Sequence, residues 1–260
     1  MKTITFYSLK GGTGKSSTAN MVANCLASTG KKVLMIDLDI NGSTSILKVP
    51  LNFKEYDPLG NKHIAAALQS ETDFFKYAIP STYENIDIMR SSLHLIDLRL
   101  ISTFKLKNIL ERDEKSNPYD YLIIDTPATY DNFTLMATEA SDSVVIPVLP
   151  SKMDFNTTVK TLKKLKEETQ SFEKCRIFFN QWKYSFEERQ IKSQSDYQQL
   201  FEKHFQQKVL KTRIPFTSLM RQCTDRELKL GSAKNHQQFK NAIINLTEEI
   251  IGKNLEVGVF

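Results

Sequence analysis

The 260-residue sequence predicts an α/β fold: a doubly wound, mostly parallel sheet flanked by helices, a three-layer sandwich. Three observations carry this reading. The runs Val33-Leu34-Met35-Ile36, Tyr121-Leu122-Ile123-Ile124 and Val144-Val145-Ile146 are almost continuously apolar, as strands covered on both faces must be. Helical patterns separate those runs, so neighbouring strands are joined by right-handed crossovers and lie parallel. The first strand passes through a glycine-rich loop directly into a helix, an order expected where a ligand sits beyond the carboxyl ends of the strands.

The elements follow in order. Thr3-Ile4-Thr5-Phe6-Tyr7-Ser8-Leu9 reads as a strand, and Ala19, Val22, Ala23, Leu26 and Ala27 mark a helix that closes at Gly30. A buried strand covers 32–37. Pro50, Pro58, Gly60 and Asn61 mark a loop over 50–62. Helices are expected at 63–70 and 72–78, a strand at 86–89, a helix at 97–113 and a strand at 121–125. A helix at 131–141 leads to a strand at 143–148, a long helix at 155–171 and a strand at 175–180. A polar helix covers 187–206, and Val209-Leu210 begins a short strand. The last helix aligns Phe239, Ala242, Ile243, Leu246 and Ile250 on one core-facing stripe. With no internal repeat or linker composition, residues 1–260 read as one domain.

Composition bounds the function. Hydrophobic residues make up 40% and charged residues 25%, ordinary values for a globular chain able to bury a full core. No apolar run reaches the length of a membrane span. Met1 leads into a strand at once, so neither a signal peptide nor an added N-terminal module is expected. Cys25, Cys175 and Cys223 lie far apart, which points to no disulfide framework or metal cluster and fits a cytoplasmic location. The four histidines show no metal spacing. Charge divides unevenly: residues 1–150 hold 15 Lys/Arg against 17 Asp/Glu, and residues 151–260 hold 20 against 13. A basic half suits a polyanion partner, although a solvated basic face has the same composition.

The chemistry concentrates in Lys10-Gly11-Gly12-Thr13-Gly14-Lys15-Ser16-Ser17. Strand, glycine loop, Lys-Ser and helix together make a phosphate-binding loop, which places the fold among P-loop NTPases. Its glycines let backbone N–H groups converge on phosphate oxygens at a helix N-terminus. Lys15 reaches the β- and γ-phosphates, and Ser16 ligates Mg²⁺. Lys10, at the loop entrance, is a second lysine that an ordinary phosphate loop does not need. Asp125 ends an apolar strand, the place of a carboxylate that holds Mg²⁺; capping the next helix is the plainer alternative. Asp37 and Asp39 leave their strand end on alternating sides, one toward Mg²⁺ and the other, Asp39, toward the attacking water. A turn-forming role for Asp39 before Asn41-Gly42 is compatible with this.

The segments KGGTGKSS, VLMIDLD, YLIIDTPAT and SVVIPVLPS resemble, in order and spacing, the ParA/MinD family of deviant Walker A ATPases. The likeness is nearest to ParA-type DNA partition ATPases without an N-terminal helix-turn-helix. It spans roughly residues 1–250 and is weak over 50–110 and 185–235. The resemblance implies that Lys10 is the signature lysine, reaching across a homodimer to the other subunit's phosphates. Lys15 is then the Walker A lysine, and Ser16 and Ser17 meet Mg²⁺ and the α-phosphate. Asp39 is the hydrolytic aspartate and Asp125 the Walker B aspartate. Asn180 matches an adenine-contacting Asn, and Pro215 an Ile-Pro that borders the base. Asp154, in Ser151-Lys152-Met153-Asp154-Phe155, falls where Lys10 meets it. Two departures stand out: Asp39-Ile40-Asn41-Gly42 lacks the family's Pro-Gln, and Ile214-Pro215-Phe216 lacks its Arg.

By the same resemblance the chain is a Mg²⁺-dependent ATP hydrolase of weak intrinsic activity. ATP would hold a sandwich dimer on nonspecific double-stranded DNA, with Lys211, Arg213, Arg221 and Arg226 as contacts. Hydrolysis stimulated by a ParB-like centromere-binding adaptor would release it, in plasmid or chromosome segregation on the nucleoid. A MinD-like membrane-cycling ATPase is the alternative. The tail Thr247–Lys253, with adjacent acids and one lysine, makes a poor amphipathic anchor, so no membrane partner is expected. A phosphotransferase would need an acceptor motif, and a nitrogenase-reductase-like role would need cluster cysteines; neither is found.

Overall fold

A computed structural model describes residues 1–49, 62–184, 188–225 and 233–257. Its sheet has eight strands: β1 (Lys2–Phe6), β2 (Val33–Asp37), β3 (Ile79–Pro80), β4 (Ile86–Met89), β5 (Tyr121–Asp125), β6 (Ser143–Val148), β7 (Cys175–Trp182) and β8 (Val209–Pro215). Their order is β3-β4-β2-β5-β1-β6-β7-β8. Among the described residues every pair is parallel except β3 with β4. The expected doubly wound sheet is therefore present.

The helices are α1 (Lys15–Ala27), α2 (Ser43–Lys48), α3 (Ile64–Gln69), α4 (Lys105–Arg112), α5 (Asn132–Glu139), α6 (Lys152–Glu168), α7 (Glu188–Phe205), α8 (Leu219–Asp225) and α9 (Lys234–Ile251). Alternation along the strands divides the core between two faces. Val33, Met35, Ile4, Phe6 and Ile123 pack with α1, α8 and α9. Leu34, Ile36, Leu122 and Ile124 pack beneath α3, α4 and α5, and Val144, Ile146, Ile177 and Phe179 beneath α6 and α7. Burial on both faces explains why these strands read as continuous apolar runs.

Several boundaries differ from expectation. The helix expected over 97–113 is a 3₁₀ turn at Leu93–Leu98 followed by α4, and Leu93, Ile96, Leu100 and Phe104 before α4 are exposed rather than core-facing. α6 starts three residues early because the Ser151 hydroxyl accepts from the Asp154 N–H and caps it. β8 extends to Pro215, α2 and α8 were not foreseen, and the segment expected at 72–78 is a 3₁₀ turn at Phe74–Tyr77. The loop expected over 50–62 lies almost wholly outside the described residues.

Candidate nucleotide site

The central strands bring their C-terminal ends to one crevice. β1 lies between β5 and β6, so the loop after β1 stands beside the ends of β2 and β5. Phe6 is level with Asp125, and Asp125 with Asp37. This is the position at which a doubly wound sheet binds its ligand.

The glycine loop is shaped by two residues in the left-handed region, Gly12 (φ 75°) and Gly14 (φ 88°), the second being the N-cap of α1. Gly14 is constrained twice: a Cβ there would lie 2.2 Å from Asn180 Nδ2. Lys15 is buried at the first position of α1. Burial holds its ammonium below the ordinary lysine range, while Asp125 and Asp39 support its charge.

The two buried carboxylates divide their work. Asp37 is fully buried: Oδ1 accepts from the Asp39 N–H (3.1 Å), and Oδ2 accepts from the Ser45 N–H (2.7 Å) and Ser45 Oγ (2.8 Å). These bonds tie Asp37, the second expected metal carboxylate, to the Asp39 backbone and to the first turn of α2. Asp125 is different. Oδ2 accepts from Thr44 Oγ1 (2.7 Å), but Oδ1 is buried without a partner among the described residues. Burial pushes the carboxyl group of each above the usual range; the neighbouring Asp125 charge adds to the rise at Asp37, and Ser16, Thr44 and Lys15 oppose it at Asp125. An orphaned, desolvated carboxylate oxygen beside a serine hydroxyl and a lysine fits a divalent cation.

Asp39 is half-buried, and its Oδ1 accepts from the Asn41 N–H (2.9 Å) and Asn41 Nδ2 (2.8 Å), an Asx turn. Ser91 Oγ donates to the Asp39 carbonyl (2.6 Å), tying this loop to the end of β4. Asn41, a departure from the family pattern, is therefore what holds the Asp39 carboxylate. Lys10 Nζ lies 2.5 Å from Asp154 Oδ2, and Asp154 also accepts from Ser151 Oγ (2.5 Å) and the Leu149 N–H (3.0 Å).

The remaining expected residues separate. Asn180 donates through Nδ2 to the Thr13 carbonyl (2.7 Å), so its amide faces the loop backbone. Pro215 ends β8 opposite Trp182 and lines a groove of about 940 Å³ with Lys211 and Arg213. Arg213 stacks 4.5 Å over the Trp182 ring, and the Lys211 N–H is held by Glu249. The Arg221 side chain and all of Arg226 lie outside the described residues. Sequence reasoning missed Thr44 and Ser45. Their signal is the Ser43-Thr44-Ser45 run just after Gly42, whose hydroxyls are the natural partners of two buried acids.

Glycine loop, buried lysine, orphaned carboxylate and doubly wound sheet define a P-loop nucleotide-binding protein. A family model described as an AAA domain matches residues 1–175. The sporulation initiation inhibitor protein Soj of Bacillus subtilis (strain 168) is 34% identical over 157 residues, covering 56% of this chain and 58% of Soj. The chain thus spans little more than half the length of the first curated relatives it matches. The virulence plasmid ParA family protein pGP5-D of Chlamydia psittaci is 27% identical over 265 residues, covering 97% of this chain and 95% of that one. An ATP complex of McdA from Cyanothece shares the fold, with a TM-score of 0.81 at 20% identity and 99% of each chain covered. The chain belongs to the matched AAA-domain family, and its relatives support the ParA/MinD family.

Proposed function

We propose that this chain is a ParA-type partition ATPase: MgATP joins two copies face to face, the dimer holds nonspecific double-stranded DNA, and hydrolysis releases it. The observation that carries this reading is Lys10, a second lysine held at the rim of a complete phosphate site by Asp154. The Lys10 side chain is still 27% exposed. Ile40 and Met153, adjacent in sequence to Asp39 and Asp154, are exposed apolar side chains that suit an apposed surface.

In this reading backbone N–H groups and Lys15 bind the polyphosphate, and Ser16 and Asp125 hold Mg²⁺. Bound Mg²⁺ would offset the negative charge of the phosphates. Asp39 orients the attacking water through the oxygen not engaged by Asn41. Ser17 meets the α-phosphate, and Asn180 and Pro215 border the base. Lys10, moved from Asp154 to the partner's phosphates, offsets the repulsion of two nucleotides brought together. Losing the γ-phosphate weakens that attraction and frees the dimer. The basic C-terminal part is doubled on dimerisation, so DNA affinity follows nucleotide state. A ParB-like adaptor sets the hydrolysis rate, and the relatives named Soj and ParA support a role in segregation. No helix among the described residues is long and apolar enough to cross a membrane.

Light scattering and DNA titration with ATP, ADP and no nucleotide test this reading. Dimerisation and salt-sensitive DNA binding with ATP are expected. Lys10→Ala is expected to keep nucleotide affinity and lose both. Nucleotide-independent DNA binding, or normal dimerisation of the variant, overturns the reading.

A further inference from the structure

The pairing of β7 with β8 slips near its end. Phe179 faces Arg213 and Trp182 faces Pro215, so β7 takes three steps where β8 takes two. The extra residue makes a bulge at Asn180-Gln181. In a regular strand consecutive side chains point to opposite faces. A bulge breaks that alternation and re-aims a side chain. Here both amides reach the same loop: Asn180 Nδ2 donates to the Thr13 carbonyl (2.7 Å), and Gln181 Nε2 donates to the Gly12 carbonyl (3.0 Å). The Gln181 N–H in turn donates to Asn180 Oδ1 (2.8 Å), locking the first amide in place.

The bulge carries a cost. Gln181 has φ 52°, a left-handed conformation that a non-glycine residue adopts only at a penalty. Glycine would relieve that strain but would lose the bond to Gly12. In a trans peptide the C=O and the following N–H point in opposite directions. Pinning the Gly12 and Thr13 carbonyls therefore turns the Thr13 and Gly14 N–H groups the other way. Among the described residues neither N–H meets a protein acceptor. Successive N–H groups turned to one side form an anion-binding concavity.

We infer that Asn180 and Gln181 are an amide clamp that presets the phosphate loop, with Gln181 a positioning residue for the nucleotide's diphosphate portion. The inference rests on the proposed nucleotide site. The clamp grips carbonyls shared by ADP and ATP binding, so its loss weakens both nucleotides alike.

The test compares Gln181→Gly and Gln181→Ala with the unaltered full chain by calorimetry with MgADP and MgATP and by nucleotide-free melting. Both variants are expected to bind both nucleotides about three- to tenfold more weakly, the worth of one net hydrogen bond. The glycine variant is expected to melt no lower than the alanine variant, because it adopts φ 52° without strain. Unchanged affinity in both variants overturns the clamp. So does affinity that follows melting temperature, with the glycine variant near normal and the alanine variant weak, since that marks a merely structural role. If the unaltered chain binds neither nucleotide, the nucleotide-site reading fails and the clamp with it. Binding by the unaltered chain and both variants alike sinks the clamp alone.

Discussion

The Lys10–Asp154 pair makes the proposed switch quantitative. Lys10 cannot stay 2.5 Å from its own Asp154 and also serve a partner's phosphates, so dimerisation has to open the pair. Exposed ion pairs are worth about 0.2–1 kcal/mol, and the 27% exposure of the Lys10 side chain calls for that discount. Asp154 is 2% exposed and fixed by Ser151 and Leu149, which moves the value to the upper end, about 1 kcal/mol per protomer. Two protomers open two pairs, so removing the pair is expected to tighten the ATP dimer by about 2 kcal/mol, or roughly thirtyfold. Asp154→Asn is the sparing change, because an amide oxygen still accepts from the Leu149 N–H and the cap of α6 survives. Sedimentation or light scattering over a protein dilution series with ATP gives the dimer dissociation constant. Equal or weaker dimerisation by a normally melting Asp154→Asn protein refutes the latch.

Other outcomes follow from the site. Asp125→Asn removes a buried charge whose Oδ1 has no partner among the described residues, so the nucleotide-free protein is expected to be more stable by about 1 kcal/mol, or roughly 2–4 °C in Tm. Its affinity for MgATP is expected to fall at least about tenfold, as calorimetry with and without Mg²⁺ reports. Thr44→Val takes the Thr44 hydroxyl from that carboxylate and leaves Asn20 Nδ2 without its Thr44 acceptor, with an expected loss of about 1–3 kcal/mol in denaturant melts. Gly14→Ala meets both a φ of 88° and a 2.2 Å approach to Asn180, so nucleotide binding is expected to be lost with about 1–3 kcal/mol of stability. Adding Asn180→Ala is expected to return part of the stability but not the binding.

Much of the architecture was legible because burial on both sheet faces leaves a direct mark. β2, β5 and β6 were read within a residue of their observed limits, since strands covered by helices on both sides can hold little but apolar residues. The segment before α4 misled for the opposite reason. Leu93, Ile96, Leu100 and Phe104 recur at helical spacing, yet they face solvent on a 3₁₀ turn and loop, and periodicity does not say what lies opposite a stripe. α8 and the extension of β8 were missed because their residues are mixed in polarity; the edge strand shares a groove with α9, lined by polar side chains of both.

At the site, backbone chemistry was readable and side-chain allocation was not. The glycines announce left-handed turns, and acids at apolar strand ends announce the crevice, because each is rare elsewhere for a physical reason. What a carboxylate does there depends on which donors arrive, and those come from α2. Ser45 makes two hydrogen bonds to Asp37 and Thr44 makes one to Asp125, so two adjacent residues on one turn give two similar buried acids different surroundings. That turn begins four residues after Asp39, whose carbonyl is held by Ser91 and whose carboxylate is held by Asn41. Thr44 thus ties Asp125 to the short helix that follows the Asp39 loop. The replacement of the family's Pro-Gln by Ile40-Asn41 falls within this connection. Asn41 holds the Asp39 carboxylate here, so under the proposed function its effect is expected in the hydrolysis rate rather than in nucleotide affinity.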